Sequence, residues 1–200
     1  MTDQHPRIAA IVLAAGMSTR MGSDKLLTML EAETLIRRVV RSVETSRANP
    51  VLVVTGHDDK AICEALASAN ASIVHNPDFR DGLSTSLRTG IRAVGECDGA
   101  IILLGDMPAI SSSLINRMIA TFDPKKGRAI CVAAYNGRRG NPVLFDRRFF
   151  PELQTISGDI GARDIVAKHA CLVCEIEADD DGCLTDIDSP EDLERFVRRS

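Results

Sequence analysis

Nothing in this 200-residue chain approaches the length of a membrane span, and the opening Met-Thr-Asp-Gln-His-Pro-Arg leads into no secretory-type apolar stretch. A bilayer requires about 20 consecutive apolar residues, so the expectation is a cytoplasmic protein with no membrane partner. Blocks of like charge are missing too. The 24 basic and 28 acidic residues are dispersed and sum to a net charge of −4, which offers nucleic acid no surface and makes any basic site a local one. There is no internal repeat, linker or low-complexity tract. With 44% hydrophobic residues the chain has material for a sizeable core, and residues 1–200 are read as one domain. Only one C-x-x-C occurs, Cys171-Leu-Val-Cys174, placed in an apparent strand, and no second pair completes a tetrahedral metal site. The six cysteines, Cys63, Cys97, Cys131, Cys171, Cys174 and Cys183, lie mostly in apolar runs at irregular spacing, as reduced, packed thiols do. Two phosphate-binding motifs are absent as well. No G-x-G-x-x-G follows the first apolar run, and Lys25 lies outside the spacing of G-x-x-x-x-G-K-[ST], which argues against a dinucleotide-dependent dehydrogenase and a P-loop ATPase.

What is present begins at Ile8. Six apolar residues, Ile8 to Leu13, suit a strand buried on both faces of a parallel sheet. They empty into Ala14-Ala-Gly-Met-Ser-Thr-Arg-Met-Gly-Ser-Asp-Lys25. Gly16 and Gly22 allow tight turns and close backbone approach to a ligand, their amides are free to point at anionic oxygens, and Arg20 and Lys25 add fixed positive charge. Two solvated cations on a strand-to-helix turn would account for each feature singly, but less well for the whole set.

Farther on, Glu31 to Ser46 carries an apolar stripe at helical spacing, Leu35, Val39 and Val43 with Ile36 and Val40. Val51 to Val54 and Ala71 to Val74 read as strands, separated by a helix that Asp58 is placed to cap. His57 stands at a strand's carboxyl end with no evident partner and reads as a solvated loop histidine. The polar loop from Asn76 enters a helix near Gly82 and Ser84, where a serine either caps the first turn or, with its neighbouring amides, reads a base edge. Ala100 to Leu104 is a fully apolar strand that stops at Gly105-Asp106-Met-Pro. A carboxylate directly after a central strand lies where doubly wound sheets bind ligands. Magnesium takes hard oxygen ligands, commonly one or two carboxylates plus substrate phosphates, so Asp106 is the leading metal ligand. Ser111 opens another helix. Ala129 to Tyr135, then Asn136-Gly137, then Val143-Leu-Phe145 reads as a hairpin with a type I′ turn. Between its strands Arg138, Arg139, Gly140, Asn141 and Pro142 bring cations and amide capacity suited to an acceptor phosphate. Asp159 sits at the start of a helix running to about His169, Cys171 to Glu177 is a last strand, and Ser189-Pro190-Glu-Asp192 is a strong helix start that leaves Asp186 and Asp188 unexplained. The strand and helix alternation predicts a three-layer α/β/α sandwich around a Rossmann-like, mostly parallel but mixed sheet.

Leu13-Ala-Ala-Gly-Met-Ser-Thr-Arg-Met-Gly-Ser-Asp-Lys-Leu27 resembles the signature loop of nucleotidyltransferases that condense a nucleoside triphosphate with a phosphorylated acceptor, the nucleotide-diphospho-sugar transferase type. Within these the chain most resembles the molybdenum cofactor cytidylyltransferases. Four further segments carry the resemblance: Gly82 to Ile91, Gly105 to Pro108, Arg139 to Pro142 before Val-Leu-Phe, and Thr185 to Leu193, with Gly158-Asp-Ile-Gly-Ala-Arg163 beside them. The resemblance implies that Leu13, Ala14, Ala15, Gly16, Ser18, Gly22, Gly82 and Ser84 bind the nucleotide together with Arg20, Lys25 and Asp106. It implies that Arg139, Gly140, Asn141, Pro142 and Asp159 meet the acceptor, with asparagine at 141 where the resembling enzymes commonly carry histidine. It also implies Mg²⁺ on Asp106 and Asp188, with Asp186 as an alternate ligand. Catalysis would fall to Arg20, Lys25 and Asp106. The implied reaction moves CMP from CTP to the phosphate of a molybdopterin-type acceptor, with transient contact to a molybdoenzyme or its insertion chaperone.

Three rivals stand beside it. The cytidylyltransferases for methylerythritol phosphate typically read H-D-A-x-R-P where this chain has Gly105-Asp-Met-Pro108. The guanylyltransferases for the same cofactor read L-A-G-G where it has Leu13-Ala-Ala-Gly16. A molybdopterin carrier would bind the cofactor without turning over any triphosphate.

Overall fold

A computed structural model of the chain describes residues 6–16, 25–158 and 162–199. The first strand, β1 (Ile8–Ala14), is buried at every position, as its unbroken apolar run requires. Its side chains alternate between two cores. Ile8, Ala10, Val12 and Ala14 join one hydrophobic cluster, and Ala9, Ile11 and Leu13 join the other, the period-2 geometry of a strand covered on both faces.

The segment after the first loop differs from the expected helix. A small hairpin is made by β2 (Met29–Leu30) and β3 (Glu33–Thr34), and its turn and second strand occupy the start of the stretch from Glu31 read as helix. Glu31 turns it at φ 57°, and α1 runs from Leu35 to Glu44. Its N-cap is Thr34, whose hydroxyl accepts from the Arg37 amide at 3.4 Å. The apolar stripe is as expected: Leu35, Ile36, Val39, Val40 and Val43 are all buried, worth about 1.5–3 kcal/mol for each large side chain relative to exposure.

There follow β4 (Val51–Thr55), α2 (Asp59–Ala65), β5 (Ser72–His75), α3 (Leu83–Ala93), β6 (Gly99–Leu104) and α4 (Ser112–Thr121). Asp58 makes no side-chain cap bond to α2, because its carboxylate faces His57 Nδ1 at 2.9 Å. Ser111 does cap α4, accepting from the Leu114 amide. The hairpin of β7 (Ile130–Tyr135) and β8 (Arg138–Asp146) turns through Asn136 at φ 50° and Gly137 at φ 73°, the two positive dihedrals of a type I′ turn. The chain then forms α5 (Phe150–Leu153), α6 (Arg163–Lys168), β9 (Val173–Glu177) and α7 (Pro190–Arg199). Cys171 lies in a tight turn before β9 rather than in it, so the C-x-x-C straddles two elements; all six thiols are free.

The seven-stranded sheet has the order β5-β4-β1-β6-β8-β7-β9. Only β8 runs against the others: it pairs antiparallel with β6 and β7, while the remaining neighbours pair in parallel. Helices α1 and α4 cover one face and α3, α5 and α6 the other. The mostly parallel α/β sandwich expected from the sequence is the one observed. Chain order reverses direction between β1 and β6, and such a switch point opens a crevice at the carboxyl ends of the two strands. No described helix is long and apolar enough to cross a membrane.

Candidate functional site

Two carboxylates and one ammonium meet at that crevice. Asp106 follows β6, whose end is tied to β1 by the Gly105 amide donating to the Leu13 carbonyl at 2.9 Å. The Ile187 amide donates to the Asp106 carbonyl at 3.0 Å, which brings Asp188 alongside. Lys25 lies in a short turn anchored by buried Leu26. Its Nζ donates to Asp106 Oδ2 at 2.7 Å and to Asp188 Oδ1 at 2.6 Å. Side-chain exposures of 14% for Lys25 and 19% for Asp106 shield this pair from the screening that makes surface ion pairs weak.

Burial lowers the Lys25 pKa, but Asp106 and Asp188 outweigh that and the net shift is upward. The ammonium is therefore fully charged at neutral pH. Desolvation, then the charges of Asp188 and Asp106, push the Asp186 carboxyl up, so it belongs to the same electrostatic cluster. Asp106 Oδ1 is buried and, among the described residues, has no hydrogen-bond partner. An orphaned buried carboxylate oxygen costs free energy unless something binds it. Together with the second carboxylate it forms a hard-oxygen donor set that fits a divalent cation such as Mg²⁺.

The first loop leaves β1 through Ala14 and Ala15, both buried, and Gly16, which is exposed. Ser18, Arg20, Gly22 and Asp159 lie outside the described residues. Ala15 is held from behind. A Cβ on Gly56 would come 2.8 Å from the Ala15 carbonyl oxygen and 2.7 Å from Phe79 Cβ, so glycine lets the loop after β4 pack closely against the loops after β1 and β5. His57 stacks edge-on against Phe79, centroids 5.9 Å apart, and is thus better partnered than its loop position suggests.

Gly82 at φ 98° leads into α3 without a side-chain cap. Ser84 is buried in the first turn and its amide donates to the Gly158 carbonyl at 3.3 Å, which makes it no N-cap. Asn76 organises this turn. Its Nδ2 donates to Thr85 Oγ1 at 2.9 Å and Ser86 Oγ at 3.0 Å, and its Oδ1 accepts from the Asp78 amide at 3.1 Å. Asn76 belongs to no recognised motif; its signal in the sequence is an amide side chain directly after a strand and before a helix with three consecutive hydroxyl residues.

Arg139, Gly140 and Asn141 line a chamber of about 310 Å³ between the sheet and helices α3 and α6, and Pro142 is not part of its lining. Its floor is Ile102, Val132, Val143 and Phe145, its walls include Leu83, Leu87 and Val166, and Arg139, Gly140, Asn141 and Arg163 supply the polar part. Leu13 lines it too, so the chamber adjoins the first loop. Arg139 Nε pairs with Glu175 Oε1 at 2.7 Å, an exposed contact that a stronger anion would outcompete. Pro142 is buried. Gly140 has a packing role of its own: a Cβ there would fall 2.0 Å from the Cys183 carbonyl oxygen.

Residues 10–172 match the family model of the MobA-like NTP transferase domain. The purine catabolism protein PucB of Bacillus subtilis is 30% identical, with 98% of each chain covered. Nicotine blue oxidoreductase of Paenarthrobacter nicotinovorans is 28% identical over 96% of this chain and 97% of its own. The molybdenum cofactor cytidylyltransferase of Escherichia coli is 25% identical over 93% of each. Among solved structures, a nucleotidyl transferase from Methanothermobacter superposes with a TM-score of 0.85 at 27% identity, covering 96% of this chain and 97% of that one.

Proposed function

Because the chain belongs to the MobA-like NTP transferase family, we propose that it transfers CMP from CTP to the terminal phosphate of molybdenum-bearing molybdopterin, releasing pyrophosphate. The observation that carries this reading is the convergence of Asp106 and Asp188 on the Lys25 ammonium, each within hydrogen-bond distance of it, next to a half-apolar chamber rimmed by Arg139 and Asn141.

In the proposed reaction an oxygen of the acceptor phosphate attacks the α-phosphorus of CTP in line. The bond between that phosphorus and the bridging oxygen breaks, and pyrophosphate departs with the electron pair. Asp106 and Asp188 would hold Mg²⁺, which supplies charge neutralisation between the α-phosphate and the leaving group. Lys25 and Arg20 neutralise charge that grows on pyrophosphate. Leu13, Ala14, Ala15, Gly16, Ser18 and Gly22 wrap the nucleotide, and Gly82 and Ser84 face its base. Arg139, Asn141 and Asp159 receive the acceptor phosphate while the apolar floor accepts the pterin side. Little covalent work is asked of the protein, and the rate comes from positioning and preorganised charge. The buried methyl of Ala15 favours a pyrimidine by limiting how closely a purine lies on the loop backbone.

The product then passes to a molybdoenzyme, directly or through its insertion chaperone. Incubating the protein with CTP, Mg²⁺ and molybdenum cofactor should yield the cytosine dinucleotide form, identified by mass. Recovery of unmodified cofactor after complete mixing with active protein refutes the assignment.

A further inference from the structure

Lys25 Nζ hydrogen-bonds to one oxygen of Asp106 and one of Asp188 at the same time. Two carboxylates gathered at a half-buried point repel each other, and Asp186 adds a third negative charge to the neighbourhood. The ammonium reduces the net charge of the pair from −2 to −1. Its attachment suits a moving part: the backbone of the turn is fixed, with Leu26 buried and the Thr28 amide bonded to the Lys25 carbonyl, whereas four methylene groups carry the charge.

We propose that Lys25 is a resident counter-ion that keeps Asp106 and Asp188 assembled in the nucleotide-free protein and competes with divalent metal for them. Metal then enters together with a nucleoside triphosphate, whose phosphates draw the ammonium away from the carboxylates. This rests on the reading of Asp106 and Asp188 as the metal-binding pair. The competition follows from the contacts themselves. Asp106 Oδ1 is buried and accepts no hydrogen bond among the described residues, so a cation bound there shares the carboxylate with the ammonium, and one that binds both aspartates competes with Lys25 for their charge.

The test is a titration of the full chain with Mn²⁺ alone, without nucleotide, following free Mn²⁺ by electron paramagnetic resonance. Lys25→Met, which keeps the apolar stem and removes the charge, should bind Mn²⁺ at least tenfold more tightly than the unmodified protein. Adding Asp106→Asn should abolish that gain. Lys25→Gln serves as the second variant with the same expected gain, and circular dichroism checks the folding of each. Equal or weaker Mn²⁺ binding by the folded lysine variants overturns the proposal, as does a gain that survives Asp106→Asn. Since no nucleotide is present, the outcome is independent of which triphosphate or acceptor is used; failure to turn over CTP would strike the proposed reaction and leave this titration to decide the role of Lys25.

Discussion

Gly140→Ala is a small change with a large expected effect. The added Cβ would stand 2.0 Å from the Cys183 carbonyl oxygen, 2.8 Å from the Cys183 carbonyl carbon and 2.9 Å from Leu184 Cδ2, where real Cβ contacts essentially never fall below 3.0 Å. Strand β8 and the 181–184 turn must therefore part by about 1 Å. Both obstructing atoms of Cys183 are backbone, so no rotamer change relieves the clash. Overpacking of this kind costs about 1–3 kcal/mol, and the rigid partners put this case near 3. At about 2–4 °C per kcal/mol for a chain of this size, Tm should fall by about 6–12 °C. Activity should fall further than stability explains, because the displaced turn feeds directly into Thr185 and Asp188. A 1 Å misplacement of a catalytic group costs about 10²-fold in rate. Thermal melts followed by steady-state pyrophosphate release on the folded variant measure both. A Tm within about 1 °C of the parent, with turnover preserved, refutes the argument that glycine at 140 is demanded by the Cys183 carbonyl.

Lys25→Ala and Arg20→Ala should each lower kcat and kcat/KM together by about 10²–10³, the usual cost of losing a charged donor that acts on the transition state; an unchanged kcat with a raised KM for CTP would assign them to substrate holding alone. Ala15→Gly should relax the preference for CTP over GTP, read as the ratio of the two kcat/KM values, and an unchanged ratio would place base selection elsewhere. Lys168 and His169 hold the Glu152 carboxyl below the usual glutamate range. A carboxyl lowered on folding contributes stability in full above its unfolded pKa of about 4.3, and that contribution disappears as pH falls through the lower folded value. Glu152→Gln should thus bring the urea midpoint closer to that of the parent protein in acid than at pH 7, and an equal gap at both pH values would contradict the clamp.

The sheet was legible because strands buried on both faces must be continuously apolar, and Ile8 to Leu13, Val51 to Val54 and Ala100 to Leu104 are. The Asn136-Gly137 turn was legible because few residue pairs accept two positive φ values. Where local chemistry was ambiguous, the reading erred. Glu31 has no sequence mark of a left-handed turn, so a helix read from Glu31 takes in the hairpin's turn and β3. Asp58 has the right type and place for a cap but spends its carboxylate on His57. The candidate site was legible as separate pieces, each a loop at a strand end. Their meeting was not, since Lys25 bonds partners 81 and 163 residues away and no pattern within one segment encodes such a distance. The same holds for Gly140, whose constraint comes from a carbonyl in another element.

The central claim is cytidylyl transfer to a molybdopterin-type phosphate. Its most direct measurement is pyrophosphate release with each of the four nucleoside triphosphates, in the presence and absence of molybdenum cofactor and with Mg²⁺ throughout. The account predicts release with CTP well above the other three and only when the cofactor is present. Equal or faster release with GTP, or release from CTP that ignores the cofactor, would contradict it.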